Sequence, residues 1–326
     1  MILLCYGTRP EWIKIKPLIN IFKDKIPFKI LFTGQHEDIA GGWFDESLKI
    51  ANGKNRLDSI ISSVMNQIDF STVDSVLVQG DTATGFAVAL SAFNHKISVI
   101  HLEAGLRTYD LEHPYPEEGY RQMISRITDT HLCPTNTAKN NLLHDNVGGD
   151  IHVVGNTVLD NLVGIDSSYS DEVIVTIHRR ENHYIIDKWM KELDNLDENI
   201  TVICHPNPAV QNAVGKLKNV NVIDPLPHNE MIKKIANCKF LITDSGGLQE
   251  EGSFFNKRII ICRKTTERPE VLEHHGILCD SPEKLKNIVE GLNKNYIIDK
   301  PCPFGDGKSS EKILNILKNK YYKELK

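Results

Sequence analysis

Three carboxylates stand where a parallel α/β sheet would present them for proton transfer. Asp81 follows the apolar run Val76-Leu-Val-Gln-Gly80, Glu103 follows Val99-Ile-His-Leu102, and Glu117 lies in the loop Pro114-Tyr-Pro-Glu117 beyond. Acids at the carboxyl ends of neighbouring strands converge on the crevice where open α/β sheets bind ligands, and proton transfer is the chemistry such a group performs. One acid alone in such a loop is more often a helix cap or an ion-pair partner. Three at consecutive positions favour acid/base work. Arg9, Lys14, His178 and Arg179 offer the opposing charge for an anionic substrate. A second constellation is Leu241-Ile-Thr-Asp-Ser245-Gly246-Gly247-Leu-Gln-Glu-Glu251, an apolar strand running into adjacent glycines and a helix start. Backbone N–H groups there can crowd against an anion while the helix N-terminus supplies partial positive charge, which makes the segment a phosphate cradle. Arg268, in the loop after the next strand, is a candidate diphosphate clamp. Glu250 and Glu251 fall where acids also occur simply to complement the helix dipole.

Those residues need strands that end together. Short β-branched runs alternate with amphipathic stretches, the pattern of parallel β/α units. Strands are expected over 2–5, 29–33, 75–78, 98–102, 130–133 and 151–154, then 172–177, 201–204, 220–223, 240–243 and 259–262. Helical patterns lie between them, among them 13–22, 118–127, 230–236 and 282–292. The polar stretch from Gly164 to Asp171 has no periodicity and reads as an interdomain linker. The expected fold class is therefore α/β, with two doubly wound Rossmann-like domains facing a cleft. The last segment, 309–326, carries Ile313, Leu314, Ile316, Leu317, Tyr321 and Leu325 at helical spacing and reads as a packed amphipathic helix.

At 326 residues the chain is long enough for two domains, and its net charge of −5 lacks the basic excess that a nucleic acid partner requires. The opening Met1–Gly7 is too short for a signal peptide or a membrane span, so no membrane association is expected. Seven cysteines, odd in number and mostly inside apolar runs, read as reduced core thiols of a cytoplasmic protein. The turn Gly7-Thr-Arg-Pro-Glu11 lacks the G-x-G-x-x-G of dinucleotide sites, and Gly307-Lys308-Ser309 imitates a Walker A loop without its first glycine or its leading strand. No histidine has partners at metal-ligand spacing. Neither a cofactor nor a metal is expected.

The motifs, taken in order, resemble the non-hydrolysing UDP-N-acetylglucosamine 2-epimerases. They are Gly7-Thr-Arg-Pro-Glu11 with Ile13-Lys14, Gln79-Gly-Asp-Thr82, His101-Leu-Glu-Ala-Gly-Leu-Arg-Thr108, Pro116-Glu-Glu118, His178-Arg-Arg-Glu-Asn182, Thr243-Asp-Ser-Gly-Gly-Leu-Gln-Glu-Glu251, Thr265-Thr-Glu-Arg-Pro-Glu270 and Gly305-Asp-Gly-Lys-Ser-Ser310. The resemblance covers nearly the whole chain. It implies GT-B architecture, with a first domain over 1–165, a UDP-binding domain over 166–306 and a terminal helix over 307–326 packing back on the first. It also implies a homodimer that interconverts UDP-GlcNAc and UDP-ManNAc for polysaccharide biosynthesis. Carried over residue by residue, Asp81, Glu103 and Glu117 match the catalytic carboxylates, and Arg9 and Lys14 the basic pair. His178 matches the histidine near the diphosphate; Ser245, Gly246 and Gly247 match the cradle, Glu251 the acid on the ribose hydroxyls and Arg268 the clamp.

Other readings compete. A hydrolysing sister group releases free ManNAc and UDP, but typically reads Gly-Thr-Arg-Ala-Asp after the first strand, where this chain has Pro10-Glu11, and lacks the Ser-Gly-Gly spelling. A 2-epimerase of a related UDP-N-acetyl sugar stays open. A GT-B glycosyltransferase would share the cradle without requiring three carboxylates, and a binding regulator would not need intact acids. The chain departs from the family after Gln35-His36, where members use UDP-GlcNAc as an allosteric activator. Here Glu37 and Asp38 follow, and two acids repel a second diphosphate by about 1 kcal/mol per exposed charge. Activation by UDP-GlcNAc is thus expected to be weak or absent. The reverse reaction started from purified UDP-ManNAc should show no lag, and a lag abolished by trace UDP-GlcNAc would show the regulatory site to be intact.

Overall fold

Ile2–Tyr6 is buried at every position, as a strand covered on both faces must be, and it lies inside the first of two parallel sheets. The computed structural model describes residues 1–36, 42–292 and 295–322. One compact unit comprises 1–161 and 307–326, and a second comprises 162–306. The first sheet contains β1 (Ile2–Tyr6), β2 (Phe28–Phe32), β3 (Glu46–Ser47), β4 (Ser75–Gln79), β5 (Ser98–Leu102), β6 (Thr130–Cys133) and β7 (Asp150–Val153). Its strand order is β3-β2-β1-β4-β5-β6-β7. Helices α1 (Arg9–Phe22), α2 (Arg56–Gln67), α3 (Ala83–Asn94), α4 (Glu117–Arg126) and α5 (Asn136–His144) connect it. The second sheet holds β8 (Glu172–Thr176), β9 (Asn199–Ile203), β10 (Asn221–Ile223), β11 (Leu241–Thr243), β12 (Ile259–Ile261) and β13 (Gly276–Leu278). Its order is β10-β9-β8-β11-β12-β13. Helices α6 (Ile186–Asp194), α7 (Pro208–Val214), α8 (His228–Asn237), α9 (Gly246–Phe254) and α10 (Leu285–Leu292) serve it, and α11 (Ser309–Tyr321) belongs to the first unit. Each unit is a doubly wound, Rossmann-like sheet, the α/β fold class expected from the sequence.

Two strands escape the sequence pattern. β3 is two exposed residues, and β13 begins at Gly276, where a Cβ would stand 2.9 Å from Ile261 Cδ1, so close packing replaced the β-branched signal. The expected helix over 282–292 starts as a 3-10 turn, Pro282–Lys284, before α10. The stretch from Gly164 to Asp171 follows directly on the boundary between the two units, at 161/162. It belongs to the second unit, where the Ser168 and Ser170 N–H groups donate to Ala236 and Asn237 carbonyls at the end of α8, each at 3.1 Å. The Tyr169 hydroxyl donates to the Asn256 carbonyl at 2.6 Å, and the buried Lys257 ammonium sits 3.8 Å from the Tyr169 ring centre. Most of its residues are exposed, in keeping with their polar composition, while its backbone is tied to the end of α8.

Two repairs hold the first unit together. Pro17 inside α1 has no N–H for the Ile13 carbonyl, and Asn161 Nδ2 donates to that carbonyl at 2.9 Å instead. At the start of α11, the Ser309 and Ser310 N–H groups donate to the Asp160 carboxylate at 3.0 and 2.7 Å. The false Walker A segment thus opens a helix whose anion is the protein's own. Ile313, Leu314 and Leu317 of α11 then pack in one apolar cluster with Ile15, Leu18 and Phe22 of α1. Asp160→Ala should destabilise α11 by about 1 kcal/mol, the usual value of a lost cap. Native-state hydrogen exchange would show faster exchange in the first turn of α11 with α3 unaffected, and unchanged α11 protection would show that apolar packing alone holds the helix.

Candidate active site

In the first unit the strand order reverses between β1 and β4, and ligands of doubly wound sheets bind at the carboxyl ends beside such a reversal. The turns there are built around the carboxylate of Glu11, which is 1% exposed. It accepts from the Gly7 N–H at 2.9 Å, from the Thr8 N–H and hydroxyl at 2.7 Å each, and from the Thr82 hydroxyl at 2.6 Å. Burial nevertheless pushes this carboxyl above its ordinary range. The start of α1 is fixed in this way. Arg9 is exposed at its first position, and Lys14 reaches the Glu103 carboxylate with its ammonium. Glu103 also accepts from Gln79 Nε2 and, at 3.2 Å, from Asn156 Nδ2. Its backbone lies at φ 64°, a left-handed conformation that a glutamate holds only where its surroundings impose it.

Asp81 follows Gly80, whose carbonyl accepts from His101 Nε2 at 2.7 Å. His101 is fully buried, and burial pushes its pKa down to about 3, so the ring is neutral with its proton on Nε2. The Asp81 carboxylate accepts from Arg121 of α4 through both Nε, at 3.0 Å, and Nη2. Arg121 Nη1 reaches Glu118, which is wholly buried and also accepts from the Thr108 and Tyr109 N–H groups at 2.9 and 3.2 Å. Glu117, the neighbouring acid, is left out of this network. Its Oε2 is buried with no hydrogen-bond partner among the described residues, the kind of exception that marks a functional position.

The second unit repeats the plan where its order reverses between β8 and β11. Asp244, wholly buried after β11, accepts from the His178 and Arg179 N–H groups at 2.9 and 2.8 Å and from Asn182 Nδ2 at 2.9 Å. Trp189 Nε1 fixes Asn182 in turn, donating to its Oδ1 at 3.0 Å. The His178 ring stacks on His205 with centroids 4.8 Å apart, and burial lowers its pKa against the opposing pull of Asp244. Ser245 starts α9 without capping it through its side chain. Gly246 leaves the room that Arg268 takes up, since a Cβ there would stand 2.4 Å from Arg268 Nη1, and around Gly247 the space is open within 4 Å. Arg268 is 7% exposed and bonds Glu250 through Nε and Glu267 through Nη1 at 2.8 Å. Burial would raise the Glu267 carboxyl, but Arg268 and Arg263 hold it down to about 2. Glu251 turns elsewhere and accepts from His228 Nε2 at 2.8 Å.

Within the first unit, therefore, Lys14 meets Glu103 directly, Asp81 meets α4 through Arg121, and Glu117 begins that helix, while Arg9 stays exposed. Within the second, Arg268 lies against Gly246, while Glu251 accepts from His228. Sequence reading missed Arg121, Asn156, Asp244, Glu267 and His228. Asp244 and Glu267 sit inside motifs that had been singled out, whereas Arg121, Asn156 and His228 carry no local signal. Gln35 is committed internally, its Oε1 accepting from the Thr84 N–H and hydroxyl at 3.0 and 2.8 Å, and Glu37 and Asp38 lie outside the described residues.

His101 also makes the first unit acid-sensitive. With its folded pKa near 3 against an ordinary 6.5, the folded state binds fewer protons than the unfolded state at pH values between these, so stability is complete above 6.5 and falls as pH drops below it. The loss attributable to this ring is roughly 2 kcal/mol by pH 5. Urea midpoints from pH 7 to 5 should fall less steeply for His101→Gln than for the parent. Equal slopes would place the acid sensitivity on other groups.

The matches to known proteins point to one family. A family model described as UDP-N-acetylglucosamine 2-epimerase matches residues 21–318. The UDP-N-acetylglucosamine 2-epimerase of Salmonella borreze is 34% identical over 366 aligned residues, covering 96% of this chain and 97% of that protein. Among solved structures, the UDP-GlcNAc 2-epimerase from Neisseria meningitidis bound to UDP-GlcNAc superposes with a TM-score of 0.87 at 29% identity, covering 98% and 99% of the two chains. That from Methanocaldococcus jannaschii, in complex with UDP-GlcNAc and UDP, does so at 0.79 and 30%, covering 98% and 99%. By motif order, by both sheets and by these matches over nearly its whole length, the chain belongs to the UDP-N-acetylglucosamine 2-epimerase family.

Proposed function

We propose that this protein interconverts UDP-GlcNAc and UDP-ManNAc by eliminating and re-adding UDP, without releasing free sugar. The C2 proton of the sugar is not next to a carbonyl, so removing it alone would leave an unstabilised carbanion. Elimination solves this. As a base takes the C2 proton, the C1–O bond breaks with its electron pair leaving on UDP, and the C1=C2 double bond of 2-acetamidoglucal forms. A proton returned to the opposite face of C2, with the UDP oxygen attacking C1, gives the epimer. The reaction needs protonatable groups for two faces of the ring and a donor-rich place for a diphosphate.

The observation that carries this reading is the carboxylate group of the first unit: Asp81 follows β4, Glu103 follows the neighbouring β5, Glu117 begins α4, and Glu117 Oε2 is buried with no hydrogen-bond partner among the described residues. In this reading those acids move protons, with Lys14 and Arg9 as the basic pair. Ser245, Gly246, Gly247, His178 and Arg268 hold the diphosphate, and Glu251 the ribose hydroxyls. The binding of UDP-GlcNAc by the Neisseria relative supports the substrate class. The proposed assembly is a homodimer and the proposed location the cytoplasm; among the described residues no helix is long and apolar enough to cross a membrane.

UDP-GlcNAc incubated in heavy water should yield UDP-ManNAc with deuterium at C2, read by NMR, with no added metal or nicotinamide. Free ManNAc as the main product would make the enzyme a hydrolase, and epimer without deuterium would remove the elimination. In the same assay Glu117→Gln should lower mostly kcat and Glu251→Gln raise mostly KM. Near-normal kcat for the amide variants of all three first-unit acids would overturn their assignment.

A further inference from the structure

Two adjacent glutamates on α9 go to different partners. Glu250 is 2% exposed and ion-paired with Arg268, so its carboxylate is part of the support beneath the cradle. Glu251, about 100° further round the helix, is almost as deeply buried, its side chain 5% exposed, yet it takes one hydrogen bond, from His228 Nε2 at 2.8 Å. A carboxylate offers about four acceptor positions. No other described residue donates to Glu251, so after the histidine the rest of its capacity is unspent. His228 is the first residue of α8, and its side chain is 29% exposed, so it reaches the carboxylate from the solvent side.

We infer that His228 is the positioning residue that aims Glu251 at a vicinal diol, and that it thereby sets the protein's preference for a ribonucleotide over a deoxyribonucleotide. The inference rests on the reading above in which Glu251 takes the ribose hydroxyls. By occupying Oε1 from one side, the imidazole N–H holds the carboxylate in a single rotamer and leaves Oε2 and one lone pair of Oε1 for two hydroxyl donors. Without it, the buried carboxylate would turn to find another donor, because an unsolvated charge does not stay unpartnered. A bond that only fastened α8 to α9 would affect every ligand alike. A bond that aims Glu251 affects only ligands with ribose hydroxyls.

The test is calorimetric titration with UDP and with 2′,3′-dideoxy-UDP. The parent protein should prefer UDP by about tenfold or more, since hydrogen bonds to a charged acceptor are among the stronger ones. His228→Phe, which keeps a ring but no donor, should cut that preference to about twofold while leaving affinity for the dideoxy ligand unchanged, which also shows that the variant is folded. His228→Gln, whose amide N–H can reach the same oxygen, should restore most of it. A parent that prefers UDP and a His228→Phe variant that prefers it as strongly overturns the role of the histidine alone. A parent that binds both ligands equally removes the ribose role of Glu251 and the histidine's with it.

Discussion

In each unit a buried carboxylate bridges the point where the strand order reverses. Glu11, in the first turn of α1, caps the turn after β1 and reaches Thr82 in the turn after β4; Asp244, just after β11, takes the backbone N–H groups of the turn after β8. At a reversal, neighbouring strands are far apart in sequence and their connecting helices leave to opposite faces, so nothing in the sheet ladder joins the two turns. A carboxylate does so because it accepts several donors at once, and deep burial makes each of those bonds matter more than it would in water. The candidate residues inherit their positions from this arrangement. Arg9, Lys14 and Asp81 flank the Glu11 bridge, while His178, Ser245 and Gly246 flank the Asp244 bridge.

A second tier of contacts fixes the acids themselves. Glu103 is held by a lysine, a glutamine and an asparagine from separate elements, and Asp81 by two N–H groups of one arginine from α4, both on its Oδ2. Because Arg121 also bonds Glu118, whose carboxylate carries the loop at Thr108 and Tyr109, the helix that begins with Glu117 cannot shift without moving Asp81's partner. Positioning of the acids is thus shared, with α4 as the common part.

Much of this was legible in the sequence, and the rest was not for identifiable reasons. Apolar β-branched runs locate nearly every strand, since a strand buried on both faces has no other composition available. Paired acids show the limit. At 117–118, in the first turn of α4, and at 250–251, in the second turn of α9, the sequence offers two adjacent glutamates, and in both cases one is spent on an internal arginine while its neighbour is not. Which one turns inward depends on where an arginine from another element arrives, Arg121 in one case and Arg268 in the other. Motif spacing does not carry that information. The stretch from Gly164 to Asp171, polar and without periodicity, gives no sign of the bonds that tie it down: backbone N–H groups of Ser168 and Ser170 donate to carbonyls at the end of α8, and the Tyr169 hydroxyl to that of Asn256.

The second unit also shows how a cationic group can wait at a helix N-terminus. Arg268 beside Gly246 places a guanidinium against the positive end of α9, an arrangement that is repulsive on its own. Glu250 and Glu267 reverse this, and the cost of bringing them together is met in part by Arg263, which bonds Glu267 from the other side at 2.7 Å. The result is a balanced set of charges in which the guanidinium is already ordered and desolvated. In the proposed reading, a diphosphate arriving there would have little reorganisation left to impose on the protein, and Gly246 lets the arginine lie close enough for the helix N–H groups and the guanidinium to act on the same anion.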